Sequence, residues 1–431
     1  MIANSLTTQT LSKMFKPIFN YLKLIAIVGF IVSCQKDNEP IIVPEVITSN
    51  ITSISGTTAL SGGNILSDGG AEITSRGVCW SKEENPTIND FKTEDGQGIG
   101  EFTSSLTNLE ESTTYHVRAY ATNEAGTFYG EDLVFTILGK PILATKTASD
   151  ITTSSVISGG IIKSDGGSMI TLKGVCWSET SSPTIEDHTT DKGTGANDFS
   201  STIDGLKRNT IYYMRAYALN DIGISYGEEI AFKTFEVMDI DGNGYHAVTI
   251  GSQTWLTSNL KVTKYRNGDP IPNITDGSEW GNLTDGAYCD YENKSSNSDI
   301  YGRLYNWYAV DDNRNLAPEG CHVASKTEWE EMINFLGGED IAGGKLKQTG
   351  TSLWQSPNKG ATNESGFTAL PGGGRGFENV FSNQGIDCSW WTSSENQATT
   401  AYGKYVVFST TSSFGYSSGK ENGSYVRCIK D

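Results

Sequence analysis

Seven cysteines, four histidines and one run of alternating oxygens are the residues of this chain whose types could support chemistry. The run is Asp239-Ile-Asp241-Gly-Asn243-Gly-Tyr245. Oxygens at its first, third and fifth places, with a carbonyl at the seventh, begin a calcium loop. The twelfth place is Ile250, where a bidentate Glu is needed. A Gly-rich turn entering a strand is therefore the first reading, and calcium at Asp239, Asp241 and Asn243 the second. The histidines, His116, His188, His246 and His322, stand alone, with no His-x3-His, Cys-x2-Cys or Gly-x-Ser-x-Gly spacing. Catalysis needs a poised base, a nucleophile or a metal. The expectation is a protein that is not an enzyme and has no cofactor.

Binding without turnover asks for less: aromatic faces and side-chain amides on loops held by a rigid scaffold. Trp354, Asn358, Asn363, Glu364, Arg375, Glu395 and Asn396 lie on Gly-rich loops of the C-terminal half and are the candidate ligand residues. Trp390 and Trp391 are read as core.

The elements that must position these residues begin with an internal repeat. Ser61-Gly-Gly-Asn-Ile-Leu-Ser-Asp-Gly-Gly70 matches Ser158-Gly-Gly-Ile-Ile-Lys-Ser-Asp-Gly-Gly167. Gly77-Val-Cys-Trp-Ser81 matches Gly174-Val-Cys-Trp-Ser178, and Arg118-Ala-Tyr-Ala121 matches Arg215-Ala-Tyr-Ala218. The offset is 97 residues in every case, with no insertion. That period is a domain, not a solenoid turn. Tyr115, Val117, Ala119 and Ala121 alternate with polar neighbours, as a half-buried strand does. Asp68-Gly-Gly and Asp165-Gly-Gly predict hairpin turns. Cys79 and Cys176, one per copy, read as small buried hydrophobes. The pattern from Leu109 through Tyr115 and Arg118 to Asn123 and Gly126, repeated from Leu206 to Gly223, resembles the penultimate strand of fibronectin type III domains. That resemblance implies a Tyr corner in each copy, with core tryptophans at Trp80 and Trp177.

Further on, Ser325-Lys-Thr-Glu328 predicts a capped helix start, with Trp329, Met332, Ile333 and Leu336 on one face and Gly337-Gly338 as its stop. Tyr301-Gly-Arg-Leu-Tyr-Asn-Trp307, Gly360-Ala-Thr-Asn-Glu-Ser-Gly-Phe367, Leu370-Pro-Gly-Gly373, Trp390-Trp-Thr-Ser-Ser394 and the terminal Val426-Arg-Cys-Ile-Lys-Asp431 accompany it. The ordered set resembles the Fibrobacter succinogenes major paralogous domain, a branch of the C-type lectin-like and formylglycine-generating-enzyme-like folds. That resemblance implies an α+β domain over residues 237–431 whose last strand closes beside its first. Of the three pairings that Cys289, Cys321, Cys388 and Cys428 allow, it favours Cys321–Cys428, which would leave Cys289 with Cys388, although Cys321 stands where relatives carry Trp. The Glu-Pro-Asn triplet of calcium-dependent lectins is absent, Ser356-Pro-Asn358 being the nearest run. Nor do the cysteines reproduce the reactive pair of formylglycine-forming relatives.

The N-terminus carries Lys13, Lys16 and Lys23, then the apolar run Leu24–Ser33 and Cys34. This is a secretory signal too short to span a bilayer comfortably. Ile31-Val-Ser-Cys34 resembles a bacterial lipobox, which implies acylation of Cys34 and removal of residues 1–33. The acidic tether 34–42 resembles that of surface-exposed Bacteroidetes-type lipoproteins. The formal charge is −19, and −22 without residues 1–33, a balance that repels nucleic acid. The expected organisation is a multidomain chain: sandwich-type repeats at 43–138 and 139–236, then the lectin-like domain at 237–431. The expected setting is the outer membrane, held by lipid and facing outward. A glycan or a surface protein is the expected partner. The alternatives are a structural or accessory part of an outer-membrane assembly, and an enzyme of formylglycine-generating type.

Overall fold

A computed structural model describes residues 43–376 and 380–431. Cys34, the signal segment and the tether lie outside the described residues. No helix among those described is long and apolar enough to cross a membrane.

The first repeat folds as two antiparallel sheets. Thr58–Ser67 pairs with Glu45–Thr48, Thr52–Ser55 and Gly100–Leu106 in one sheet. Thr113–Asn123 pairs with Ser75–Ser81, Gly126–Tyr129 and Leu133–Ile137 in the other. The alternation of Thr113–Asn123 puts Tyr115, Val117, Ala119 and Ala121 inside. Facing apolar residues from both sheets, Ala59 and Leu106 against Val78, Val117 and Phe135, close the core. The second repeat copies this plan, except that the counterpart of Thr52–Ser55 shrinks to a single bridge between Ser149 and Ile157.

Side-chain staples repeat as well. The Tyr115 hydroxyl accepts the Glu110 N–H at 3.0 Å, and the Tyr212 hydroxyl accepts that of Lys207 at the same distance. Tyr120 and Tyr217 each donate to a carbonyl, of Thr93 and Thr190. The Arg118 and Arg215 guanidinium groups lie over Tyr129 and Tyr226. Trp80 is buried, whereas Trp177 keeps partial exposure. Cys79 and Cys176 are fully buried, and burial pushes their thiols up, to about 12 and about 11.

One turn expectation is corrected. Gly69, Gly70, Gly166 and Gly167 do adopt positive φ. Yet the Asp-Gly-Gly turns join strands of different sheets, Thr58–Ser67 to Ser75–Ser81 and Val156–Ser164 to Leu172–Ser178. They are crossovers between layers, not hairpins.

The chain enters the C-terminal domain through Phe235, whose ring packs on His246 at 4.8 Å. Asn209, in a loop of the second repeat, exchanges two hydrogen bonds with the backbone of Ala247. In this domain one sheet runs Ala247–Ile250, Gln253–Leu256, Cys428–Lys430, Cys321–Val323 in spatial order. A second runs Ser413–Gly419, Thr400–Val407, Asp387–Gln397, Tyr425–Val426. Consecutive residues of a strand point to opposite faces, so the pair Trp390-Trp391 demands two cores. Trp390 joins Trp255, Trp329 and Phe367, while Trp391 joins Tyr305 and Trp307. The helix Lys326–Phe335 carries the expected capping box, with Trp329, Met332 and Ile333 buried. Arg427 sits where the last strand passes from one sheet to the other. It is buried and donates to Asn259 Oδ1, Leu256 O and Phe367 O, each at 2.8 Å.

Candidate functional site

Structure redistributes the residues nominated from the sequence. The Asp239 carboxylate accepts the N–H groups of Asp241 and Asn243, the Asn243 amide, and the Tyr245 hydroxyl at 2.7 Å. Asp241 accepts the Thr263 N–H and hydroxyl and pairs with Lys264 at 3.0 Å. Both carboxylates are consumed by donors of the protein, so the loop is a self-satisfied turn and calcium is not needed to explain it. Among the described residues no group of three or more His, Cys, Asp or Glu is placed to hold a metal.

Trp354 is corrected from ligand platform to core: it is 1% exposed, and its indole donates to Ala369 O at 3.1 Å. Asn358 is buried and its amide holds the carbonyls of Gln348 and Gly350. Asn363 closes its own loop on Thr368. Glu364 pairs with Lys345, and Glu395 with Lys420 at 2.5 Å. Asn396 donates to Thr400 and Ser417. These six do not converge. Arg375 alone borders a cleft, and its guanidinium donates to Ile274 O and Thr275 O and lies over the Trp280 ring.

The expected disulfides are corrected too. Cys289, Cys321, Cys388 and Cys428 are buried and unbridged. Cys321 lies opposite Lys430, and Cys428 opposite Val323, which makes the two cysteines diagonal neighbours. Diagonal pairs sit about 7 Å apart, too far for a sulfur bridge without shifting a strand. Cys289 and Cys388 share the Trp390 core without bonding.

The cleft at Arg375 has a volume of about 280 Å³. Register builds its floor. Ser389 lies opposite Tyr405, Asp387 opposite Val407, and Gly403 opposite Tyr416. By the strand period Asp387, Ser389, Tyr405, Tyr416 and Ser418 share one sheet face, the face opposite Cys388 and Trp390. A Cβ at Gly403 would lie 2.2 Å from the Tyr416 ring, so only glycine lets that ring lie across the strand. Tyr405 stacks on Phe414 at 4.9 Å and meets Tyr416 edge-on at 6.0 Å. The facing wall is Gly374–Arg375, Asn383 and the turn Asn422–Ser424, fastened by the bridge between Arg375 and Gly423.

Polar groups crowd this space. The Ser424 hydroxyl reaches Tyr416 at 3.0 Å and Ser389 at 3.2 Å. The Asn422 amide donates to Ser418, while its Oδ1 is buried without a partner. Asp387 supplies the carboxyl group of the lining. Burial pushes it up to about 6, against the opposing hydrogen bond from Asn383 at 2.8 Å. Among the described residues this half-buried carboxyl has the Asn383 amide as its hydrogen-bond donor and no ion-pair partner, which leaves it able to accept from a ligand.

A larger hollow of about 650 Å³ in the second repeat is lined by Glu179, Glu186, Asp187 and Asp204 around the Trp177–His188 stack. That stack has a counterpart in the first repeat, Trp80 on Phe91, so it is a packing feature of the module.

The sequence reading passed over the cleft. Its signal was the alternation Asp387-Cys-Ser389-Trp, which sets polar residues on one face and core on the other. What the alternation could not give was the strand opposite.

Residues 248–430 match the family described as the Fibrobacter succinogenes major domain. A search of curated proteins gives no match.

Proposed function

We propose that this chain is a non-catalytic, lipid-anchored protein of the outer membrane, exposed at the cell surface. In this reading two fibronectin III-like sandwiches are a stalk and the C-type lectin-like domain is a head that captures glycan. The observation that carries it is the cleft: one half-buried tyrosine face, several hydroxyls and amides, and an unspent carboxyl, in the proportions that hold a polyhydroxylated ring. The repeated Tyr corner supports the stalk assignment. Capture without turnover is supported by the thiols. Burial pushes those of Cys321 and Cys289 up to about 11, so they are poor nucleophiles.

The test is retention of the full chain on immobilised polysaccharides, with Tyr405→Ala as control. Retention that Tyr405→Ala abolishes, while the thermal midpoint stays within a few degrees, supports capture at this cleft. Retention unchanged by that substitution refutes it. Labelled palmitate entering the wild-type chain but not Cys34→Ser tests the anchor.

A further inference from the structure

We infer that the cleft selects uncharged polyhydroxylated ligands: Asp387 accepts a hydroxyl pair of a neutral sugar and turns away the corresponding uronate or sulfate ester. This inference rests on the cleft reading above and specifies its ligand.

Charge decides the class. Asp387 comes from the floor strand, and the groups around the same space are Ser389, Tyr405, Tyr416, Ser418, Asn383, Asn422 and Ser424. None of these is basic. Arg375 is the basic residue of the lining, and its guanidinium is committed to Ile274 O and Thr275 O, pressed against the Trp280 and Phe381 rings. An acidic sugar entering here would bring a second negative charge beside Asp387 with no cation to balance it. Like charges in a poorly hydrated space repel strongly.

A neutral ring meets the opposite situation. Its hydroxyls donate to a carboxylate that has one protein donor, the Asn383 amide. Bonds to an ionised acceptor are the stronger kind. The apolar face of the ring packs on Tyr405, and the Ser389 and Ser424 hydroxyls serve either role. The volume of about 280 Å³ suits a short sugar unit rather than an extended chain.

The arrangement also links binding to protons. A neutral Asp387 is a weaker acceptor, and its proton competes for one oxygen. The carboxyl sits at about 6, so mild acid is enough to protonate it. Tyr416, which shares the floor, is pushed up to about 12 by burial and stays neutral throughout.

The experiment is affinity electrophoresis of the full chain through gels containing mannan, dextran or xyloglucan, and through gels containing polygalacturonate or chondroitin sulfate. The expected result is retardation by at least one neutral polymer and by neither acidic one. Asp387→Asn should weaken that retardation about tenfold or more, because the charge-assisted bonds are lost. Retardation by wild type should fall as pH drops through about 6, and that of Asp387→Asn should not change there. Equal retardation by acidic polymers, or an Asp387→Asn protein that binds like wild type, overturns this inference while leaving the cleft reading intact. Retardation indifferent to Tyr405→Ala, or absent with every polymer, overturns the cleft reading itself. Matching melting curves establish that the variants are folded.

Discussion

Alkali should unfold the C-terminal domain before either sandwich, and the buried thiols set the threshold. Cys289, Cys321, Cys388 and Cys428 are all 2% exposed or less. Burial raises each of them from an ordinary value of 9.0, Cys289 and Cys321 to about 11 and the other two further. The folded state therefore keeps protons that the unfolded state releases. Stability is intact below about pH 9 and falls as pH rises towards the folded values. Each retained proton is worth about 1.4 kcal/mol per pH unit. Four thiols together remove roughly 5 kcal/mol of stability per unit between about pH 9 and 11, above which Cys289 and Cys321 titrate in the folded state as well. A domain at the lower end of ordinary stability, about 5–10 kcal/mol, is exhausted within about two units of that threshold. Each sandwich holds one buried thiol and loses only about a quarter as much per unit.

The assay follows tryptophan fluorescence, which reports mainly on the C-terminal domain because Trp255, Trp280, Trp307, Trp329, Trp354, Trp390 and Trp391 lie there. Thiolate absorbance is recorded in the same titration, in a Cys34→Ser background so that Cys34 adds no signal. The two signals should change together, as one cooperative step. Cys388→Ala should make the descent about one quarter shallower. Thiolate appearing near pH 9 with fluorescence unchanged would refute the reasoning, because it would show the thiols titrating inside an intact fold. Free thiols missing from the denatured protein would refute it differently, by establishing disulfides that this structure does not contain.

Other perturbations separate scaffold from cleft. Tyr115→Phe and Tyr212→Phe each remove one hydroxyl–backbone bond and should cost about 1 kcal/mol in their own module, read as two similar shifts in urea midpoint. Trp354→Ala should destabilise the C-terminal domain by about 3–5 kcal/mol, measured by thermal or urea melting, since it empties a core site. Ser325→Ala should cost about 1 kcal/mol through loss of the N-cap bond to Glu328, seen as a lower midpoint. Burial alone would lower the His322 pKa, but the hydrogen bonds its ring makes to the Asp431 and Glu328 carboxylates outweigh it and raise the net value. Its stabilising contribution is therefore complete below the ordinary 6.5 and is lost as pH rises through the raised value. His322→Asn should flatten the stability profile in that interval.

How much was legible depended on whether the signal was local. The repeat was readable because an identical offset in three motifs cannot arise from unrelated elements, and its strands alternate with period two. The capped helix was readable because Ser325, Glu328 and the apolar face of Trp329, Met332 and Ile333 lie within nine residues of one another. The cleft was not. Asp387 and Ser389 come from one strand, Tyr405 from the next, Tyr416 and Ser418 from a third, and Ser424 from a turn. Only cross-strand register brings them together, and register is fixed by packing rather than by any one segment. The same physics explains the misplaced nominations. An Asn in a Gly-rich loop looks available, yet Asn358 and Asn363 adopt positive φ and spend their amides closing turns. A Trp in such a loop looks exposed, yet the Trp354 indole finds a carbonyl, and its area is worth more inside. The cysteine pairing failed on two residues of register, since Cys428 faces Val323 instead of Cys321. A loop rich in amides is thus weaker evidence for a binding site than a strand that puts a carboxyl and a serine on the face opposite Trp390. Polar groups in a turn are needed by the turn, whereas Asp387 and Ser389 are not needed by the ladder that carries them.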